Sequence, residues 1–294
     1  MAESLAGSAA DADATGVRAL SAVSNTLRIP LAARALGEAL FPRLAVHDAH
    51  AARVLLKLDD DGSQWLKDRQ SVYGVLARTR RFRELAQDFL RRCPGGLVVN
   101  LGCGLSDYFQ WLDDGAARMV DADLPAVLAL RRQLLAPYPE RHALRELDLT
   151  SADWWEALGL PARPEGAPVF LMAEGVMMYL TKPQVEAVWR TFAECAPAGS
   201  VLAFDAMCWL ATGRAKQHPS VRHTDAQFHW GLRREAELTA VHPRLRHLAS
   251  HTVMEAYGWP YSWVGPVFRR LFGVPFYALY VAGVADAGKA PSSA

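Results

Sequence analysis

Four segments of this chain place glycines or acids where an α/β fold presents them to a ligand. The first is Asn100-Leu101-Gly102-Cys103-Gly104-Leu105-Ser106-Asp107, which closes the short apolar run Leu97–Leu101. Glycines just past a strand let the backbone turn sharply and approach a ligand, with helix N–H groups nearby. A dinucleotide fingerprint would need a third glycine at 107. Asp107 stands there instead, which suits a zwitterionic ligand better than a pyrophosphate. The second is Asp121 and Asp123, at the end of Met119–Asp123. An acid about 20 residues past the first glycine can accept hydrogen bonds from both hydroxyls of an adenosine ribose, and Asp123 is the better placed. The third is Asp148, after Ala143–Leu147, where a carboxylate can take the exocyclic amine of adenine or simply cap a helix. The fourth is Glu174, ending the apolar run Val169–Ala173. An unpartnered buried carboxylate is costly, so Glu174 should face a ligand or a cation in the cleft.

Each of these sits at the end of an expected strand. From Ser21 to Arg92 the pattern is helical, with apolar residues at three- and four-residue spacing over Ala33–Leu40, Ala49–Leu58 and Tyr73–Leu90. Cys93-Pro94-Gly95-Gly96 then breaks the last helix. Beyond it, strands alternate with helices expected from Ser106–Asp107, over Pro125–Leu135 and over Gln184–Ala196. A fifth strand covers Ser200–Phe204, the stretch to Trp230 has no legible structure, Gly231–Val241 reads as a helix, and Leu245–Met254 and Phe276–Val284 read as two final strands. The fold class is α/β: a doubly wound, mostly parallel seven-stranded sheet with an antiparallel edge, behind a helical N-terminal segment. The expected organisation is a loose tail over 1–16, a helical segment or lid over 17–92, a core over 93–284 with substrate-side insertions at 207–230 and 257–274, and a second tail over 285–294.

Composition narrows the function. Of the 294 residues 51% are apolar and 21% charged, enough for a large core, so disorder throughout is excluded. The net charge of +1 implies no nucleic acid as partner. No uninterrupted apolar run of about 18 residues suggests a membrane-spanning helix. The acid-bearing N-terminus does not read as a signal peptide. The cysteines, Cys93, Cys103, Cys195 and Cys208, form no C-x-x-C pair, so neither a disulfide framework nor a metal site is expected. The cytoplasm is the expected compartment.

In order and spacing these motifs resemble a class I S-adenosylmethionine (SAM) methyltransferase. More narrowly, the chain is similar to the leucine carboxyl methyltransferase family in its bacterial, tetracenomycin-type polyketide branch. The resemblance rests on Ala77-Arg78-Thr79, Val99 to Gly104, Val120 to Pro125, Asp148-Leu149 and Glu174-Gly175-Val176-Met177-Met178-Tyr179-Leu180. It implies SAM as methyl donor and S-adenosylhomocysteine (SAH) as product. It also implies that Arg78 grips the methionine carboxylate of SAM, with Gly102 and Gly104 under the methionine part. Asp123 would then meet the ribose, Asp148 and Leu149 the adenine, and Glu174 the methionine amino group. Read without the resemblance, Arg78 is one of several arginines on a solvated helix face.

The acceptor is less determined. A carboxylate is ionised at neutral pH and needs no general base, whereas a phenol gains from one such as histidine. His223 and His229 lie after the fifth strand, where this fold builds its acceptor wall, and Tyr179 could orient an acceptor carboxylate. The aromatic segment Tyr257–Trp263, with Phe268 and Phe272, could cover a flat acceptor, but packing against the sheet or a second subunit of a homodimer is the safer reading. The leading expectation is methyl ester formation on a small aromatic or polyketide-type acid. A phenolic O-methyltransferase with a histidine base and a SAM-binding protein without transfer activity are the alternatives.

Overall fold

The computed structural model describes residues 25–214 and 227–285. Expectations that fall on the two terminal tails, on the insertion around His223, or on His223 itself lie outside or partly outside these residues. Helices α1 (Asn25–Leu36), α2 (Ala49–Lys57) and α3 (Arg69–Arg92) precede the first strand. The side chains of Asp48 and Asp68 cap α2 and α3 by accepting the N–H groups of Ala51 and Ser71. The buried stripe of α3 runs through Val72, Val75, Leu76, Thr79, Phe82, Ala86 and Phe89. Its C-terminal half packs Phe82, Ala86 and Phe89 onto the sheet face formed by Val98, Met119, Phe170 and Ala203. That contact fixes α3 across the sheet.

The remaining elements are β1 (Leu97–Leu101), α4 (Phe109–Leu112), β2 (Arg118–Asp123), α5 (Pro125–Leu134), β3 (His142–Glu146), α6 (Trp154–Ala157), β4 (Val169–Ala173), α7 (Lys182–Cys195), β5 (Val201–Met207), α8 (Glu237–Ala240), β6 (Leu245–Thr252), α9 (Tyr261–Phe272) and β7 (Tyr277–Val284). The strands form one seven-stranded sheet in the order β3-β2-β1-β4-β5-β7-β6. The first five pair in parallel, and β7 runs antiparallel to both β5 and β6. The reversed strand is therefore internal and not the edge. Its sequence explains the placement: β7 is apolar throughout and buried at every position, whereas β6 carries Arg246, His247, Ser250 and His251 and suits an edge.

Two helix expectations are corrected. Over Gly231–Val241 only Glu237–Ala240 is helical, because Leu232 is fully buried and its N–H bonds to the Met207 carbonyl, extending the sheet's pairing instead. The helix expected from Ser106 begins at Phe109 and lasts a single turn. The carbonyls of Gly104 and Ser106 are taken by the Arg131 guanidinium from α5, which holds this stretch as a loop.

Candidate active site

Chain order reverses between β1 and β4: β2 and β3 lie on one side, β5 on the other. Crevices for ligands form at the carboxyl ends of strands at such a point. A cavity of about 620 Å³ opens there, lined by Gly102, Cys103 and Gly104 after β1, by Glu174 and Gly175 after β4, and by Arg34 and Arg78 from the N-terminal helices.

The glycine turn has to be glycine at its first position. Gly102 has φ +70°, and a Cβ there would stand 2.6 Å from Cγ2 of Val176. Its N–H bonds to the Ala122 carbonyl at 2.8 Å, tying the turn to β2. Asp123 completes the tie: its carboxylate accepts the Gly104 N–H at 2.7 Å and the Leu124 N–H at 2.7 Å. Burial raises its pKa, against the pull of those two N–H groups. Among the described residues no other donor reaches this carboxylate, so each oxygen keeps a lone pair for a ligand. Asp121 is spent differently. It is fully buried, bonded to the Arg131 guanidinium, to His142 at 2.7 Å and to Asn100 at 3.2 Å, so it braces the sheet.

Asp148 is exposed and lies beyond the cavity lining. It makes a tight turn, accepting the Thr150 N–H at 2.9 Å and hydroxyl at 2.6 Å, so it caps no helix. Leu149 beside it is buried. The Leu147 N–H bonds to the Asp123 carbonyl at 2.9 Å, so this stretch and Asp123 share one edge.

Glu174 and Arg78 meet. Arg78 is not on the solvated face of α3: it lies three residues after Val75 and four before Phe82, inside the buried stripe, and its side chain is 15% exposed. Its Nε donates to Glu174 Oε1 at 2.8 Å, and its Nη1 donates to the Tyr277 hydroxyl at 2.9 Å and to Asp205 Oδ2 at 3.2 Å. Its Nη2 makes no hydrogen bond to a described residue. Gly175 gives the guanidinium room, since a Cβ there would lie 3.2 Å from Nη2. Glu174 also accepts the Tyr108 hydroxyl at 2.5 Å and the Thr79 hydroxyl at 3.1 Å. Burial pushes the Glu174 pKa up, but Arg78, Arg34 and the Tyr108 hydrogen bond together hold it below the usual range.

Asp205 and Tyr277 escaped the sequence reading. Asp205 interrupts the apolar strand Val201–Met207 just as Glu174 ends its own, so the same signal was present. It is fully buried, accepts the Gly175 N–H at 2.6 Å, and accepts a hydrogen bond from the Tyr277 hydroxyl as well.

Tyr179 lines the cavity, 5.8 Å from Phe228 between ring centroids, and burial pushes its phenol pKa up. His229 is not brought to the site. Phe228 and Trp230 on either side point inward and are buried, which leaves the intervening His229 exposed and off the lining. The aromatic segment divides: Tyr261 and Phe268 line the cavity, while Trp259 and Trp263 are 83% and 70% exposed and do not pack against the sheet.

The doubly wound sheet with its reversed seventh strand, and the glycine turn facing strand-end acids, define the SAM-dependent methyltransferase class. A structure of a candidate methyltransferase from Thermobifida fusca shares the fold at TM-score 0.51 and 18% identity, covering 83% of this chain and 98% of that one. The family model for leucine carboxyl methyltransferase matches residues 12–193. The tetracenomycin polyketide synthesis O-methyltransferase TcmP of Streptomyces glaucescens is 31% identical over 263 residues, 86% of this chain and 93% of that protein. The SAM-dependent methyltransferase dpfgK of Gibberella zeae is 28% identical over 275 residues, 86% and 90% of the two chains. The chain belongs to the leucine carboxyl methyltransferase family and is a SAM-dependent O-methyltransferase. That membership decides against a SAM-binding protein without transfer activity. Among the described residues, no helix is long and apolar enough to cross a membrane.

Proposed function

We propose that this enzyme forms methyl esters on small aromatic or polyketide-type carboxylic acids. The observation that carries the reading is the part of the cavity wall contributed after β4 and β5. Met178, Tyr179, Met207, Leu210 and Phe228 make it apolar and partly aromatic, and Arg214 adds one cation to the lining. Such a wall accepts a ring system by area and an acid by charge.

The residues present fit SAM. Its methionine end is a zwitterion, and Arg78 Nη2 with Glu174 offers one charge of each sign in the same wall. In this reading Arg78 takes the carboxylate, Glu174 the amino group, and Gly102 and Gly104 let the backbone pass close beneath. The spare lone pairs of Asp123 accept from the ribose hydroxyls, and Asp148 with Leu149 borders the adenine. SAM supplies an electrophilic methyl on a sulfonium. The protein's part is to hold an ionised acceptor in line with it, where effective molarity provides most of the acceleration. Tyr179 donates to the acceptor carboxylate and Arg214 pairs with it. Mass spectrometry of aromatic acids incubated with enzyme and SAM tests the reading. A base-labile methyl ester is the expected product, and a base-stable ether overturns it in favour of phenol transfer.

A further inference from the structure

The wall around Arg78 is out of electrical balance. Two carboxylates, Glu174 and Asp205, flank a single guanidinium, with side-chain exposures of 7%, 0% and 15%. Asp205 meets donors only, the Gly175 N–H, the Tyr277 hydroxyl and Arg78, which favour the ionised form against burial and the nearby Glu174, whose net effect is to raise its pKa. Tyr277 remains a neutral phenol, since burial drives its pKa far up. Arg34, whose charge reaches Glu174, is itself paired with Asp48 at 2.9 Å, so the pair adds no net charge to the cluster. With Asp205 ionised, the cluster carries one net negative charge among the described residues, largely removed from water, with Arg78, Glu174 and Tyr277 lining the cavity and Asp205 buried directly behind them. A buried charge without a counterion is costly, and a cationic ligand relieves that cost.

We propose that Asp205, positioned by Tyr277 and the Gly175 N–H, is a specificity residue that makes the site prefer the sulfonium of SAM over the thioether of SAH. This rests on the reading that the methionine end of SAM lies against Arg78 and Glu174. The two ligands share every group except the transferred methyl and the positive charge on sulfur. Arg78 and Glu174 together are neutral and match the zwitterion that both ligands carry. Asp205 adds the charge that only SAM answers. The consequence is expulsion of product: loss of the sulfonium charge on transfer returns the wall to its unbalanced state and weakens retention of SAH.

Calorimetric titration of the full-length protein with SAM, with SAH, and with the SAM analogue whose sulfonium is replaced by an ammonium-bearing carbon tests this without any acceptor. Wild type should bind both cationic ligands more tightly than SAH. Asp205→Asn should reduce that preference by about ten- to twentyfold, the scale for removing one charge about 10 Å away at an effective dielectric near 20. Tyr277→Phe keeps the charge but loses a hydrogen bond, so it should weaken all three ligands while leaving their ratio in place. Should Asp205→Asn fail to fold, the wild-type and Tyr277→Phe ratios still decide. Wild type binding SAH as tightly as SAM, or an unchanged ratio in Asp205→Asn, overturns the proposal. Failure of wild type to bind any of the three overturns the reading of the cofactor site beneath it.

Discussion

Arg78 Nε lies 2.8 Å from Glu174 Oε1, joining two residues 96 positions apart in the chain. The bond ties the middle of the long N-terminal helix α3 to the end of β4, the strand beside the switch point of the sheet. The helix thus closes one side of the cavity and brings a guanidinium edge into it.

Arg78→Lys should separate charge from geometry. Lysine keeps the positive charge but cannot meet Glu174, Asp205 and Tyr277 together while keeping an edge for a ligand. SAM affinity should fall by about tenfold or more in calorimetry, with the fold retained. Arg78→Ala should also cost stability, about 3–5 kcal/mol in denaturant unfolding, because two buried carboxylates lose their cation. Arg80→Ala serves as the control. Arg80 pairs with Glu84 on the partly exposed side of α3, and its loss should leave SAM binding unchanged. An Arg80→Ala effect as large as that of Arg78→Ala would move the site one helical face away.

Gly102→Ala tests the turn. It introduces a Cβ at φ +70° and 2.6 Å from Val176 Cγ2, two separate penalties. The left-handed backbone costs an alanine about 1 kcal/mol, and the clash adds to it. Val176→Ala removes the clashing methyls but not the backbone strain. The double variant should therefore recover part of the Gly102→Ala loss in thermal unfolding and no more. Full recovery would mean that the conformation is not what demands glycine.

The ends of the strands were legible because an acid after an apolar run is costly unless something answers it. Asp123 and Glu174 stood out on that ground, and both lie at the carboxyl edge. Asp205 offers the same pattern inside a strand, where the eye takes it for a register break. Arg78 was the harder case. Four arginines between 78 and 83 suggest a solvated face, yet the three- and four-residue spacing to Val75 and Phe82 places the first of them inside the buried stripe. Asp121 shows the opposite limit. Whether a strand-end acid meets a ligand or an arginine from α5 depends on tertiary partners that no local pattern reveals. The internal position of β7 was readable in its unbroken apolar composition, and the exposure of Trp259 and Trp263 was not readable at all.

Acid should act on this site through Glu174. Burial raises its pKa, but Arg78, the Arg34 charge and the Tyr108 and Thr79 hydroxyls facing it hold the net value below that of an unfolded glutamate. A carboxylate depressed in the folded state contributes stability that is fully present above its unfolded pKa, near about 4.3, and is lost as pH falls through the folded value. Glu174→Gln should be less stable than wild type at pH 6 and should lose less stability between about pH 5 and pH 3. Asp205, whose pKa burial raises, works in the opposite sense, so the comparison is best made in an Asp205→Asn background as well. Parallel stability curves for wild type and Glu174→Gln across that range would show that the carboxylate is not depressed.

The pH dependence of transfer separates ester from ether chemistry. An acceptor carboxylate is ionised throughout the range from about pH 6 to 8, so base-free transfer predicts a flat single-turnover rate there. A phenol helped by histidine should instead rise through the base's pKa, near about 6.5 when unperturbed. The exposure of His229, off the cavity lining, makes His229→Ala the silent control under the ester reading. Tyr179→Phe should act on the acceptor alone. Its ring still packs on Phe228, so the wall keeps its shape, while the hydroxyl that orients the carboxylate is gone. The expected result is a rise in KM for the acid of about ten- to a hundredfold, the worth of one hydrogen bond to a charged group, with SAM affinity unchanged. A sigmoidal rate rise that disappears in His223→Ala or His229→Ala, with a base-stable ether as product, would replace the carboxyl assignment by a phenolic one. A Tyr179→Phe enzyme that loses SAM binding instead would place that hydroxyl on the cofactor side of the cavity.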